Sequence, residues 1–240
     1  MVGLGTLINV GLLVAGGIAG MLGGRFLTPR VQDTLMKACG LCVLFVGLGG
    51  AIENMMSVEN GGLVSGGSTM MIVSLALGAL IGEAFDLDAR MEQLGEWLKA
   101  RTGNENDNSF VNAFVSASLT VCIGAMAIVG SIQDGLAGDW SVLALKGALD
   151  CIIVCVMTAS LGRGCIFSAL PVAVFQGTIT LLAQLIAPIM TEAALANLSL
   201  VGSILIFCVG VNLIWPRTFK TANMLPAVVI AVICAFVPGL

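Results

Sequence analysis

GTLINVGLLVAGGIAGMLGGRF, residues 5–26, decides the fold. It has no charge before Arg25, and its length matches the roughly 20 apolar residues that a helix needs to cross a bilayer. Arg25, Arg30 and Lys37 follow it at once. The pattern recurs along the chain. Arg90, Lys99 and Arg101 follow the third hydrophobic segment, Arg163 the fifth, and Arg217 and Lys220 the seventh, while the other gaps and both termini have no basic residue. Cytoplasmic connections retain Lys and Arg because insertion and the membrane potential oppose moving them across. Of the ten basic residues only Lys146 departs from this rule. It lies inside a hydrophobic segment, where a charge points to function rather than to topology.

Composition agrees. The 240 residues are 58% hydrophobic and 10% charged, with a mean hydropathy of +1.06, whereas soluble domains are about 25% charged. Eight candidate spans fall at about 4–24, 36–54, 68–85, 110–131, 142–161, 165–187, 197–215 and 222–239. The expected architecture is all-α: one integral membrane domain over 1–240, a polytopic bundle of eight helices. Little chain remains for a soluble catalytic or nucleic-acid-binding domain, and the net charge of −4 argues against polyanion partners. The first segment has no basic residues before it, so it is expected to be retained rather than cleaved. Eight spans with basic even-side loops place both termini outside the cytoplasm. Trp97, Trp140 and Trp215 fall at segment ends, the depth that Trp favours.

His is absent, and the eight Cys residues lie in or beside hydrophobic segments, where Cys acts as a small apolar side chain. No metal site, cofactor or enzymatic constellation is expected. Glycines at 16, 20 and 24, and at 78 and 82, are spaced for close helix approach. They suit packing within one subunit or a homo-oligomer through these faces. Residues 86–108 form the longest polar stretch. Leu87, Met91, Leu94 and Leu98 share one helical stripe there, which predicts an amphipathic connector on the cytoplasmic surface with Trp97 as anchor.

The sequence also suggests an inverted-topology repeat of spans 1–3 and 6–8. TLINVGLLVAGGIAGML aligns with AVFQGTITLLAQLIAPI and GLCVLFVGLGGAI with GSILIFCVGVNLI, which sets Asn9 opposite Gln176, Gly40 opposite Gly202 and Phe45 opposite Phe207. The offset of five spans makes the two copies run in opposite directions. Such repeats are a common basis for secondary transporters, with the binding site at the repeat interface.

The candidate solute or ion pathway follows from polar residues in apolar segments. Lys146 and Asp150 are four apart on the fifth span and share a helix face. They are either a structural ion pair or a site where Asp150 exchanges a cation or proton under the influence of Lys146. Gln176 and Thr180 belong to a polar stripe on the sixth span, between Pro171 and Pro188. They either bond neighbouring helices or line a route along which Pro171 loosens the backbone. Asp134 and Asp139, among glycines in GSIQDGLAGDW, read as a solvated turn or an outer entrance. Glu83 at the inner end of the third span reaches water or, if buried, acts as a relay. Asn9 and Asn212 are expected as buried amides, and Asn223 with Pro226 as a helix break.

Taken in order, GTLIN, GALIGE, GAMAIVGSIQDGLAGD, LALKGALD, SLG and NMLPA closely resemble the bacterial multispanning family of unknown function that includes YqgA and YdfK. The resemblance covers nearly the whole chain and implies a bacterial cytoplasmic (inner) membrane protein, without catalytic residues to transfer. The functional expectation is a secondary transporter for a small polar or cationic solute, coupled to proton or sodium. A channel and a non-transporting scaffold that interacts with lipid are the competing readings.

Overall fold

The computed structural model describes residues 2–59, 62–104, 107, 109–123 and 125–237. Helix α1 (Leu4–Gly24) starts from Gly3 in the left-handed region, and α2 (Pro29–Met55) starts with Pro29 in its first turn, where a missing N–H costs nothing. An antiparallel hairpin of β1 (Met56–Glu59) and β2 (Gly62–Ser65) follows, with Met56 opposite Ser65. Next come α3 (Ser68–Phe85), α4 (Leu87–Arg101), α5 (Phe110–Cys122), α6 (Ala125–Ala137) and α7 (Ser141–Leu161). A 3-10 stretch (Arg163–Ser168) leads into α8 (Ala169–Leu181). The short α9 (Ala183–Ile186) and a 3-10 turn containing Pro188 precede α10 (Glu192–Ile214). Thr191 caps α10 by accepting a hydrogen bond from Ala194 N–H at 3.2 Å. A last 3-10 turn (Thr221–Met224) feeds α11 (Pro226–Cys234).

The protein is therefore an all-α polytopic bundle carrying one small hairpin. Among the described residues six helical stretches are long and apolar enough to cross a membrane: α1, α2, α3, α7, Arg163–Leu181 and α10. Two expected spans differ. The fourth is bent by 63° between α5 and α6, and it continues past 131 to Ala137. The eighth is short: nine residues of α11 rise only about 14 Å, against a hydrocarbon core of about 30 Å. Pro171 does not loosen α8, because it sits in the first turn, where N–H groups have no intrahelical partner. The irregular backbone precedes it, over 163–168.

Glycines set the pairing of helices. A side chain at Gly16 or Gly20 would overlap the carbonyl of Cys151 or Cys155, and one at Gly24 would sit 3.1 Å from Ala159. These are matching four-residue ladders with numbers rising together, so α1 and α7 pack in parallel. The pairing of α2 with α10 runs the other way: Gly40 meets Leu213 and Gly50 meets Ser203. Gly78 and Gly82 of α3 lie against Ala227 and Asn223, also antiparallel. Of the two uses read for these glycine faces, packing within one subunit is the one seen: each lies against another helix or turn of the same chain.

Those loops meet at one end. Arg25 and Arg163 line one small pocket together with Gln32 and Ser109, and α4 packs beside the turn that bears Lys220 and Thr221. Helix α4 does not bury its expected apolar stripe as a unit. Leu98 is buried with Phe110 and Phe114 of α5, while Leu94 and Trp97 stay exposed. Around the bundle Leu41, Phe45, Ile72, Leu145, Ile152, Val174 and Val229 face outward, an apolar belt that requires lipid rather than water around it.

Candidate functional site

Lys146 and Asp150 form an ion pair one turn apart on α7, and each residue is only 6% exposed. Helical spacing brings them together, and burial makes the pairing obligatory, because either ion alone in hydrocarbon would be costly. Lys146 Nζ also donates to the carbonyl of Val121 at 2.7 Å. That carbonyl is available because α5 ends at Cys122 and Ile123 turns extended, leaving the last carbonyls without intrahelical donors. A cation at a helix C-terminus is further favoured by the helix dipole. One ammonium group therefore joins the broken helix to the carboxylate of α7.

A cavity of about 560 Å³ reaches this pair. Lys146, Asp150 and Thr120 provide polar wall on one side, and Ser199 and Ser203 of α10 add hydroxyl-bearing positions. Val43, Val46, Ile153 and Ile206 make much of the rest apolar, and Glu53 with Asn54 lines it at the end of α2.

Gln176 does not line that cavity. It is 1% exposed and accepts from Asn9 Nδ2 at 3.2 Å, in a separate buried cluster between α1, α6 and α8. Thr6 and Thr180 hydroxyls meet there at 3.5 Å. Asp134 joins them from α6, fully buried, with Oδ2 accepting from Gly5 N–H at 3.0 Å. Neither the solvated turn nor the outer entrance expected at Asp134 exists, because Gly135 packs against the Thr180 carbonyl and lets the helix continue. The two clusters are neighbours across α1. A side chain at Gly147, next to Lys146, would lie 2.9 Å from Asn9 Cα. Asp139 alone stays exposed, its carboxyl held below the usual range by hydrogen bonds from the Ser141 side chain and N–H.

Three further expected site residues belong to the basic end. Glu83 is exposed, pairs with Lys220 at 2.6 Å and accepts from Asn223 Nδ2 at 2.6 Å, so it is not a buried relay. Its hydrogen bond and charge raise the Lys220 ammonium above its ordinary value. Asn223 Oδ1 accepts from Asp88 N–H at 2.7 Å, at the start of α4. Asn212 is half-buried and clamps the turn after α10, donating to the Phe219 carbonyl at 2.7 Å and accepting from Phe219 N–H at 2.9 Å. These groups brace α3, α4 and α11 against one another.

That end also holds a cavity of about 740 Å³ between α4, α5 and α10. Asp88, Glu92 and Glu96 line it from α4, and Arg217 and Lys220 lie on another wall. Burial, then the Glu92 charge, raise the Asp88 carboxyl. Sequence reading missed this vestibule, and it missed Thr6 and the Val121 carbonyl as partners and Ser131 as a buried hydroxyl. The spacing of Asp88, Glu92 and Glu96 at four residues was the available signal for the vestibule.

A polytopic membrane protein with two buried polar clusters in its helical bundle is the class that this fold and these sites define. The chain belongs to the family described as Protein of unknown function (DUF554), whose model matches residues 4–236. It is 29% identical over 233 residues to the uncharacterized membrane protein YdfK of Bacillus subtilis (strain 168), covering 97% of this chain and 96% of that one. It is also 28% identical over 235 residues to the uncharacterized protein YqgA of Escherichia coli (strain K12), covering 95% and 94%. No solved structure matches the chain.

Proposed function

We infer that the protein is a secondary transporter of a small polar or cationic solute, coupled to a proton or sodium ion. The observation that carries this reading is the buried Lys146–Asp150 pair on the wall of a cavity of about 560 Å³, against a broken helix. A purely structural pair would be expected in a packed interface. Here the carboxylate borders open space, and the ammonium holds a backbone carbonyl that a rigid helix would have kept for itself. Broken helices with ionisable groups beside them are the usual construction of solute sites in membranes.

Helix pairing supports the inverted repeat. Spans 1, 2 and 3 pack antiparallel on α8, α10 and α11, the counterparts the alignment assigns them, as a two-fold axis in the membrane plane requires. Asn9 hydrogen-bonds to Gln176, its aligned partner, as residues on such an axis should. The same reading puts the protein in the bacterial inner membrane, basic end inward and both termini outside; the gathering of basic connections at one end supports it.

Purified protein in proteoliposomes tests the function. Imposed proton or sodium gradients should drive uptake of a polar or cationic solute, and Asp150→Asn should lower it at least about tenfold while the protein still elutes as a folded particle. Absence of gradient-driven flux, or flux indifferent to Asp150→Asn, would remove the reading. Discrete single-channel currents would favour a channel instead.

A further inference from the structure

We propose that the junction of α1, α6 and α8 is a binding site for a sodium-sized monovalent cation, centred on Asp134. The carboxylate is fully buried, and no Lys or Arg pairs with it among the described residues. Its Oδ2 takes the Gly5 N–H, which caps α1, but Oδ1 has no hydrogen-bond partner. A buried charge left half-satisfied in this way is expensive unless something completes it.

The surroundings offer oxygen. Ser131 lies one turn before Asp134 on α6, fully buried, with its hydroxyl unpartnered. Asn9, one turn from Gly5 on α1, is fully buried too, but its Oδ1 lies beside Gly147 of α7 and its amide nitrogen is engaged by Gln176, so it borders the site without being counted among its donors. The Thr6 and Thr180 hydroxyls share one contact at 3.5 Å, which leaves lone pairs on both. Close packing holds the group together: Gly135, beside Asp134, lies against the Thr180 carbonyl, and Gly5 lies against both Asp134 and Leu143.

The donor set determines the class of ligand. One carboxylate balances one positive charge, and the other donors are hydroxyl oxygens, the hard ligands that alkali and alkaline-earth cations take. A divalent ion would leave a net charge buried, and a junction of closely approaching helices favours Na+ over the larger K+. Occupancy of this site does not depend on transport. Its role as the coupling-ion site, next to the Lys146–Asp150 cluster across α1, rests on the transport reading.

Thermal unfolding of the purified full-length protein in detergent, with NaCl exchanged for choline chloride or KCl at constant ionic strength, tests the proposal. Tm should rise saturably with Na+, by roughly 4 °C or more, and by clearly less with K+. Asp134→Asn should abolish the rise. Should that variant fail to fold, Thr180→Val, which keeps the shape and removes one oxygen, should move the Na+ midpoint upward at least about tenfold. Equal Tm in Na+ and choline, equal stabilisation by K+, or an undiminished Na+ effect in the variants overturns the site. A Na+-dependent Tm in a protein without flux upholds the site and removes only its coupling role. Flux driven by protons with no Na+ effect on Tm removes the site and keeps the transport reading.

Discussion

Lys146 and Asp150 are individually unfavourable and jointly tolerable. Asp150→Leu should leave a buried ammonium with only the Val121 carbonyl and destabilise the protein by about 3–5 kcal/mol, whereas Lys146→Met with Asp150→Leu should be close to neutral. Unfolding of the two single variants and the double variant in mixed micelles would measure the coupling, and additive single effects would mean that the pair is not engaged. The same double variant should be inactive in flux, which separates stability from function. Both residues are legible in the sequence, because two charges at helical spacing in an apolar run have few explanations. What could not be read there is that the second Lys146 partner is a backbone carbonyl: no side chain marks Val121 as an acceptor. Asp134 was misleading for a related reason. Its flanking glycines suggest a turn, yet Gly135 serves close approach to α8.

At the scale of elements, the glycine ladders determine which helices meet. Gly20→Leu should force α1 off the Cys155 backbone, and overpacking of this kind costs about 1–3 kcal/mol or more. Lower Tm and looser proteolytic protection of α1 would register it, and an unchanged Tm would contradict the pairing. The same substitution at Gly23, where a side chain meets nothing within 4 Å, is the control and should be nearly silent. Apolar periodicity located most of the helices, but the stripe on α4 did not separate its sides: Leu98 is buried while Leu94, on the same stripe, is exposed. The bend between α5 and α6 was hidden, since no proline marks it and the run stays apolar throughout. The hairpin had a signal in the sequence, Asn-Gly between two short β-prone stretches, which the segment count passes over.

For the whole molecule, orientation is the property that charge patterning addresses most directly. A reporter enzyme that folds only outside the cytoplasm should be active when fused after residue 237 and inactive when fused after residue 104. The reverse result would invert the topology, and activity at both would break the alternation. Helix directions rest on independent ground, the rising and falling contact ladders, so a discrepancy would bear on sidedness rather than on the fold. The short α11 shows where sequence length overstated structure: the expected span runs over 222–239, of which 238 and 239 lie outside the described residues, but the helix ends at Cys234.

The parallel packing of α1 and α7 also governs how the protein can be made. Helix α1 finds its partner α7 more than a hundred residues later, a delay on the order of 10 s at ribosomal speed. Throughout that interval Thr6, Asn9 and the glycine ladder have no partner and must wait in lipid or in the care of the insertion machinery. A nascent chain stalled before Ser141 would keep that ladder exposed. Quality control should therefore meet this protein chiefly as an incomplete first half, degraded for the want of a seventh helix.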